Sequence, residues 1–384
     1  MKDVMNLIKR FLNEDVLLGR VLFVLTIAIV LFSILMIFSA SSVIASEKFG
    51  DPFFFLKRHI VWVCLGFAFM FFGYLIDLKK IQNLSLFFVL FCIILLVAVL
   101  IPHIGTSVGG ARRWIRFLGF GFQPSEFAKL AFIVYLSSWL DRKYQIMNQN
   151  AFVFIPNLLL MAITMLLIYK EPDLGTIILM VMVVFSMFIV AGIHKKYIFT
   201  LILSALPFLA YGVFGTAYRF KRVLAFLNPW EHFSGTGYQV VQSYLAIANS
   251  GILGRGLGGS QLKLSYLPEA HTDFIFSIII EELGILGSSA VLLFYIIFTI
   301  IGIRISLKAP TYFTKMLAFG ITTSIGYQSL MNIAVITGSM PTKGIPLPFL
   351  SFGGSSLVIS MLEVGILLNI FKDIHKSDLS ISVD

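Results

Sequence analysis

Long apolar runs dominate this sequence and limit what it can fold into more than any other feature. The first of them, from Val21 to Phe38, contains no charged residue. A helix needs about 20 mainly apolar residues to cross the hydrocarbon core of a bilayer. Of the 384 residues, 58% are hydrophobic and 12% are charged, whereas an ordinary soluble domain has roughly 45–50% and 25%. The sequence therefore excludes a soluble globular protein and indicates one that crosses a membrane many times.

Ten segments are predicted to cross the membrane, because each is apolar over most of its length and is bounded by charged residues, Gly or Pro. They are 18–42, 56–76, 84–102, 124–140, 152–169, 174–192, 197–215, 273–302, 315–337 and 349–371. The predicted fold class is an all-α, polytopic membrane bundle of about ten helices, with the chain 1–384 forming one domain. A cleaved signal peptide is the alternative for the first segment, although its apolar run is longer than a usual signal-peptide core.

Basic residues favour an orientation with both termini in the cytoplasm. An even number of spans puts the termini on one side, and Lys and Arg concentrate in short cytoplasmic turns. The turns predicted on that side carry Lys79-Lys80, Arg142-Lys143 and Lys195-Lys196. The net charge of +10 fits contact with a membrane surface or an anionic lipid substrate, so no nucleic-acid partner is predicted.

More positive charges lie on the predicted outer side than topology requires. They form two groups, Arg112, Arg113 and Arg116 before the fourth span, and Arg219, Lys221 and Arg222 at the start of the outer loop 216–272. Guanidinium and ammonium groups at headgroup level suit a diphosphate or another anionic group. Simple contact of long basic side chains with lipid phosphates is the alternative for each residue.

Glu126 and Lys129 lie inside the predicted fourth span, which Pro124 begins. Residues three apart are neighbours on one face of a helix. Charges within a membrane are costly and are by default candidates for function. The sequence leaves two explanations open: a local ion pair that neutralises both groups, or a role in binding substrate.

The eighth span begins at Asp273 and continues through Glu281 and Glu282. At 100° per residue, Glu281 lies about 80° round from Asp273 and roughly 12 Å further along the helix. Asp273 and Glu281 could therefore share a cavity, while Glu282 faces a neighbouring helix. Thr272 or Asp273 could also simply cap the helix, because a side-chain oxygen there would accept from its first amides.

Two outer loops have unusual composition. The loop 216–272 is rich in Gly, and its stretch 238–249 is predicted to form a short helix at the membrane interface. The loop 338–356 contains three prolines, Gly353-Gly354 and Lys343. Such a sequence predicts a non-helical, re-entrant segment, which a membrane tolerates only where it is buried in protein or lines a cavity.

Five motifs in this order together resemble one family, the SEDS proteins of shape, elongation, division and sporulation. The motifs are Gly-Ala-Arg-Arg-Trp-Ile (110–115), Gln-Pro-Ser-Glu-Phe-Ala-Lys-Leu (123–130), Glu-Pro-Asp-Leu-Gly-Thr (171–176), and the segments 267–284 and 341–356. The likeness covers most of the chain. The segments 268–274 and 341–344 are more similar to the division members than to the elongation members. Phe352 departs from the tyrosine that is common at its position.

The resemblance implies a glycosyltransferase that polymerises peptidoglycan at the outer face of the cytoplasmic membrane. Its substrate would be lipid II, a disaccharide pentapeptide on a polyprenyl diphosphate. In the family the aspartate that matches Asp273 is catalytic, which favours a general base over a helix cap. The other substrate-site candidates within the motifs are Arg113, Lys129, Glu126, His271, Glu269 and Lys343, with Glu281, Glu171 and Asp173 supporting the site. Arg219 and Lys221 are candidates from their charge alone.

The resemblance also implies partners, namely a monofunctional class B penicillin-binding transpeptidase and other division-complex proteins, and it implies enrichment at the division site.

Cys64 and Cys92 lie inside apolar runs, so no disulfide framework or Cys/His metal site is predicted. Mg²⁺ or Mn²⁺ is expected as a requirement for activity rather than as a tightly bound cofactor. Two alternatives stay open: a lipid II flippase that uses Glu126, Lys129, Glu281 and Glu363 as a path, and a non-catalytic scaffold.

Overall fold

The computed structural model describes residues 14–108, 110–117, 120–149, 151–215, 217–263 and 271–381. Apolar sequence forms helices here because a helix satisfies its own backbone hydrogen bonds within the bilayer. In chain order the elements are α1 (Glu14–Phe49), α2 (Phe54–Leu75), α3 (Leu78–Asn83), α4 (Ser85–Leu100), β1 (Gly105–Val108), β2 (Ala111–Phe117), β3 (Phe120–Phe122), α5 (Pro124–Lys143), a 3₁₀ turn (Ala151–Phe154), α6 (Ile155–Lys170), α7 (Leu174–Val190), α8 (Lys195–Phe214), α9 (Ala217–Leu227), α10 (Tyr238–Ser250), α11 (Ile275–Lys308), α12 (Tyr312–Ile336) and α13 (Gly354–Ile381).

The predicted helical membrane bundle is confirmed. Each of the ten predicted spans coincides with one long helix, and α10 is the short helix expected within the outer loop. Within the described ranges, five helices are long and apolar enough to cross a membrane by length and composition alone, and two shorter apolar helices accompany them. The last helix begins at Gly354 rather than 349, because the backbone at Phe349 has a φ of +67°, which a right-handed helix excludes.

A small antiparallel sheet between α4 and α5 was not predicted. Its strands lie in the order β1-β2-β3, with Thr106 opposite Trp114 and Ile115 opposite Phe122. The segment is short and rich in Arg, and it lacks the regular alternation that marks a strand. The sheet carries Arg113 and leads directly into α5.

Helices from the two ends of the chain, α2 and α13, pack together more extensively than any other pair. Small residues permit this approach: a Cβ on Gly73 would lie 2.8 Å from the carbonyl oxygen of Leu362. Small residues at helix contacts are typical of membrane proteins. The side-chain amide of Asn369 also donates to the carbonyl oxygens of Gly73 at 3.2 Å and Ile76 at 2.6 Å.

Helix α11 is broken at Gly284, whose φ is +66°. A break inside a membrane helix leaves backbone groups without their usual partners, and a neighbouring segment must satisfy them. Here residues 251–256 do so through four hydrogen bonds of 2.9–3.2 Å. The bonds, with the donor first, are Arg255 to Glu281, Gly256 to Glu282, Ile285 to Gly251 and Leu286 to Ile252. The Gly-rich segment 251–256 is therefore part of the helix packing.

Five connections meet at one end of the bundle. They join α1 to α2, α4 to α5, α6 to α7, α8 to α11, and α12 to α13. The backbone amide of Gln123 donates to Ser355 Oγ at 3.0 Å, and the amide of Phe352 donates to the carbonyl of His271 at 2.9 Å. The described parts of the motifs that the sequence singled out therefore approach one another at this end.

Candidate functional site

Asp273 lies in the turn immediately before α11 and is half-buried. Asn332 on α12 fixes this turn, since its amide donates to the carbonyl oxygens of Asp273 at 2.8 Å and Ile345 at 2.7 Å. The capping position of α11 belongs to Phe274, which weighs against a capping role for Asp273. The carboxylate Oδ2 would lie 2.9 Å from a Cβ on Gly344. A glycine at 344 therefore lets the 338–356 loop reach the carboxylate.

His271 is buried beside this turn. Its ring centroid lies 4.5 Å from that of Phe55 and 5.5 Å from that of Phe352. Burial, with a smaller contribution from the charge of Lys48, lowers the pKa of His271 to about 4. Its Nδ1 has no hydrogen-bond partner among the residues that the structure describes. A neutral imidazole therefore packs in an aromatic cluster at the base of the Asp273 turn.

Arg113 joins the sheet to the turn between α6 and α7. Its Nε donates to the carbonyl oxygen of Glu171 at 2.8 Å, and its Nη2 donates to that of Pro172 at 2.6 Å. The side chain of Glu171 is fully buried, and neither carboxylate oxygen has a partner within the described ranges. Burial and the nearby charge of Asp173 raise the pKa of Glu171 to about 8, against the opposing effect of Arg113. Glu171 is thus mainly protonated at neutral pH.

Asp173 performs a structural task at the start of α7. Its carboxylate accepts from the amide of Thr176 at 3.2 Å and from the Thr176 hydroxyl at 2.9 Å. Such a cap satisfies amides that the first helical turn leaves open. Gln123, just before α5, donates to the same carboxylate at 3.5 Å. Asp173 therefore connects the starts of two long helices at the Asp273 end.

Replacing Glu171 with Gln should flatten the pH dependence of thermal stability. The folded protein keeps a proton on Glu171 that the unfolded chain releases above about pH 4.5. Stability contributed by this protonated group is therefore lost as pH rises from about 5 to 8. We expect the Glu171→Gln variant to melt several degrees higher than wild type at pH 8 and to differ little at pH 5. Asp51→Asn, at a partly exposed acid of the same end, is the control. An equal pH dependence of the melting temperature in wild type and Glu171→Gln would contradict the assignment.

Glu126 and Lys129 form the ion pair that their spacing allows. The Nζ of Lys129 lies 2.9 Å from Glu126 Oε2, and each side chain is 5% exposed. Lys129 also donates to Gln328 Oε1 at 2.6 Å, and the amide of Gln328 donates to the carbonyl of Pro346 at 2.9 Å. The pair is therefore connected through Gln328 to the same loop that contacts Asp273. Contact of either residue with substrate stays a prediction.

Basic side chains of α9 lie near the 338–356 loop. Arg222 Nη1 donates to the carbonyl of Thr342 at 3.1 Å, next to Lys343. Arg219 donates to the carbonyl of Gly212 at 3.0 Å and lies 4.7 Å above the ring of Tyr169, while Lys221 is exposed. Burial lowers the pKa of Lys343 to about 8. These residues give one side of the site a positive potential.

Glu281 and Glu282 hold the loop that crosses the break in α11. Glu281 accepts from Ser260 Oγ at 2.5 Å and from the amide of Gln261 at 3.0 Å. Glu282 accepts from Ser39 Oγ of α1 at 2.6 Å, as its predicted direction toward another helix required, and lies 3.4 Å from Lys263 Nζ. The contacts of Glu281 thus fix residues 255–262, rather than forming the cavity with Asp273 that the helical wheel suggested.

Three polar residues of the site were not singled out from the sequence. They are Ser39, Gln328 and Asn332, each buried or half-buried within a long helix. Polar side chains inside otherwise apolar spans were the available signal. Glu269 and the rest of 264–270 lie outside the described residues. In the part of the chain that the structure covers, no three His, Cys, Asp or Glu side chains are grouped so as to hold a metal ion.

Comparisons with known proteins agree with one another. A family model described as a cell cycle protein, FtsW/RodA/SpoVE, matches residues 20–376. The chain is 44% identical over 350 residues to a probable peptidoglycan glycosyltransferase FtsW of Geobacter sulfurreducens (strain DL-1 / KN400), covering 91% of this chain and 94% of the relative. It is 41% identical over 351 residues to stage V sporulation protein E of Bacillus subtilis (strain 168), covering 91% and 96%.

Two solved structures share the fold. One, described as showing structural coordination of polymerization and crosslinking by a peptidoglycan synthase complex, gives a TM-score of 0.77 at 25% identity and covers 92% of this chain and 98% of its own. The other is the rod shape determining protein RodA of Thermus thermophilus, with a TM-score of 0.68 at 24% identity and coverage of 92% and 96%. The arrangement of helices around Asp273 is therefore that of a known membrane fold.

Proposed function

The chain belongs to the FtsW/RodA/SpoVE family of cell cycle proteins, and from this premise we propose how it acts as a peptidoglycan glycosyltransferase. It is a multi-pass membrane enzyme that polymerises glycan strands. We propose that it uses lipid II, at the outer face of the cytoplasmic membrane, during cell division. Asp273 is the proposed general base. The family resemblance drawn from the five motifs is confirmed by these relatives.

One observation carries the site proposal. The half-buried carboxylate of Asp273 approaches the backbone of Gly344, next to Lys343, at the end of the bundle where five connections meet. Lys343 is next to Gly344 in sequence, so we propose that the proton acceptor and this cation both face a lipid-linked diphosphate from the outer leaflet. Such an arrangement suits the transfer of a sugar from a diphosphate to a hydroxyl group.

The proposed reaction is a single displacement at the anomeric carbon. An acceptor sugar hydroxyl attacks that carbon in the growing chain, and its proton passes to the carboxylate of Asp273. The new glycosidic bond forms as the bond to the diphosphate oxygen breaks, and the electron pair leaves with the diphosphate. The configuration inverts, so no covalent glycosyl-enzyme forms and a single carboxylate suffices.

Positive residues would stabilise the departing diphosphate. Lys343 is adjacent to Gly344 and keeps its charge at neutral pH, since its pKa is lowered only to about 8. Arg113, Arg219 and Lys221 are further candidates, of which Lys221 is exposed and best able to meet a lipid-linked substrate. His271 and Glu126 with Lys129 would act from behind the site, because they are buried. Glu269 stays a candidate by motif alone.

A divalent ion is proposed as a requirement for activity. The described residues offer no set of three grouped ligands, so we propose that the substrate supplies part of the coordination. Oxygen atoms of the diphosphate are suitable ligands for Mg²⁺ or Mn²⁺. Polymer formation should therefore fall when the ion is chelated, with recovery on its return.

The proposed partner is a monofunctional class B penicillin-binding transpeptidase, which would cross-link the strands that this enzyme makes. Other division-complex proteins and enrichment at the division site follow from the division-type motifs. The solved relative that coordinates polymerization with crosslinking supports a complex of this kind. Complementation of cells depleted of either the division or the elongation polymerase would test the assignment to division.

A flippase and a non-catalytic scaffold are the competing functions. A flippase needs polar groups spread along the whole depth of the membrane. The buried polar contacts of Glu126 and Lys129 reach Gln328 and then Pro346, toward the Asp273 end. This direction favours a reaction at that end over transport through the bundle.

Purified protein with its cognate transpeptidase, lipid II and a divalent ion tests the proposal. We expect glycan polymer, and less of it with a chelator. Vesicles loaded with labelled lipid II test the alternative in parallel. Lipid II crossing the bilayer without polymer would support a flippase, and assembly of the complex without either activity would support a scaffold.

A further inference from the structure

A cavity lies at the end of the bundle opposite Asp273. It has a volume of about 490 Å³ and opens between the start of α1, the end of α2 and the end of α13. Its walls therefore come from three helices whose packing is fixed by the close α2–α13 contact. Gly19 makes part of the wall, because a Cβ there would overlap the ring of Phe371. The Glu126–Lys129 network and the proposed active site do not contribute to it.

Basic side chains line the mouth of this cavity. Arg20 of α1 is exposed, and Lys372 of α13 lies 4.7 Å above the ring of Tyr74. His375 packs on Phe371 with ring centroids 5.7 Å apart, and its Nδ1 has no hydrogen-bond partner within residues 14–381 as far as the structure describes them. Among the described residues, the lining contains Arg, Lys and His but no Asp or Glu. Its potential is therefore suited to an anion.

The rest of the cavity is apolar and faces outward from the bundle. Phe23 is 41% exposed and Phe71 is 62% exposed, and both line the cavity with the buried Met70. Large apolar side chains exposed beside a membrane helix are covered by lipid chains. The basic residues lie near helix termini, at the level of lipid headgroups. With the orientation that the Lys and Arg pairs favour, this is the inner leaflet.

We propose that this cavity binds an anionic phospholipid of the inner leaflet. The lipid phosphate contacts Arg20 and Lys372, and its acyl chains lie along Phe23 and Phe71. Basic pockets between membrane helices on the cytoplasmic side bind such headgroups in other proteins. The lipid would join α1 and α2 to α13, and it plays no part in the chemistry at Asp273.

Native mass spectrometry of the full-length protein, with phosphatidylglycerol or phosphatidylcholine added, tests the site. We expect phosphatidylglycerol to be retained, and Arg20→Gln with Lys372→Gln to weaken its binding by about tenfold or more, because two headgroup-level charges are lost. The variant pair Arg20→Lys with Lys372→Arg should keep the binding. Melting temperatures in phosphatidylcholine identify variants that have lost their fold.

Lys79→Gln with Lys80→Gln is the matched control, since it removes two exposed charges at the same end outside the cavity. This control should bind phosphatidylglycerol as wild type does. Equal weakening in the control would mean that only the general surface potential acts, and would overturn the proposal. Unchanged phosphatidylglycerol binding in the Arg20→Gln, Lys372→Gln variant would also overturn the proposal. So would equal retention of glycerol 3-phosphate, which has no acyl chains.

Discussion

Replacing Asp273 with Asn should reduce glycan polymerisation at least about a hundredfold, because general base catalysis by a positioned side chain contributes roughly 10²–10⁴ to the rate. The amide has nearly the shape of the carboxylate but cannot accept the proton of the attacking hydroxyl. The turn itself should survive, since the contact that fixes it uses the backbone carbonyl of Asp273 and the amide of Asn332. Asp273→Ala should lose activity to the same degree.

Three comparisons make the Asp273 experiment decisive. Asp51→Asn removes a partly exposed carboxylate, paired with Lys57, at the same end of the bundle and should polymerise lipid II as wild type does. The Asp273 variants should still assemble with the transpeptidase and should melt near the wild-type temperature. Polymer made by Asp273→Asn at the wild-type rate would show that another group accepts the proton.

Replacing Gly254 with Ala should destabilise the protein by about 3 kcal/mol or more and should abolish polymerisation. The backbone at Gly254 has a φ of +75°, and a Cβ there would collide with the backbone of Glu282 and with the amide nitrogen of Gly284, the latter at 2.6 Å. Strain of this kind costs on the order of 1–3 kcal/mol, and each buried polar group that loses its partner costs about as much. The four backbone bonds across the α11 break would have to separate.

Gly256→Ala is the matched control for this change. Gly256 also has a positive φ, of +85°, but a Cβ there would meet nothing within 4 Å. The Gly256→Ala substitution should therefore lower the free energy of unfolding by only about 1–2 kcal/mol, the cost of a left-handed conformation for a residue with a side chain. Thermal melting in detergent and the lipid II assay measure both variants. An equal loss of stability in Gly254→Ala and Gly256→Ala would mean that the left-handed backbone alone, rather than contact with α11, explains the effect.

The helices could be predicted from the sequence because the bilayer demands long apolar runs. Glu126 and Lys129 could be predicted as neighbours because residues three apart lie on the same face of a helix. Asp273 required the family resemblance, since its position at a helix start alone favoured a helix cap over a general base. For the last span, apolar residues such as Phe349 and Phe352 concealed the true start at Gly354.

Contacts between distant segments could not be predicted. The contact of Arg113 with the carbonyls of Glu171 and Pro172 joins residues 58 and 59 positions apart, and no local pattern specifies it. Glu281 seemed from its position on the helix to face Asp273. The break at Gly284 instead brings residues 255–262 over it, and their amides and Ser260 bind the carboxylate. Tertiary pairing at a helix break overrides a periodicity argument.

The packing of α2 against α13 has a consequence for biosynthesis. Residues 54–75 leave the ribosome long before residues 354–381. Helix α2 therefore enters the membrane before α13, the helix that it packs against most extensively, has been made. The loop that contacts Asp273 also ends where α13 begins. A nascent chain therefore cannot complete the site before translation of its last helix, and a ribosome stalled earlier would leave an inactive enzyme in the membrane.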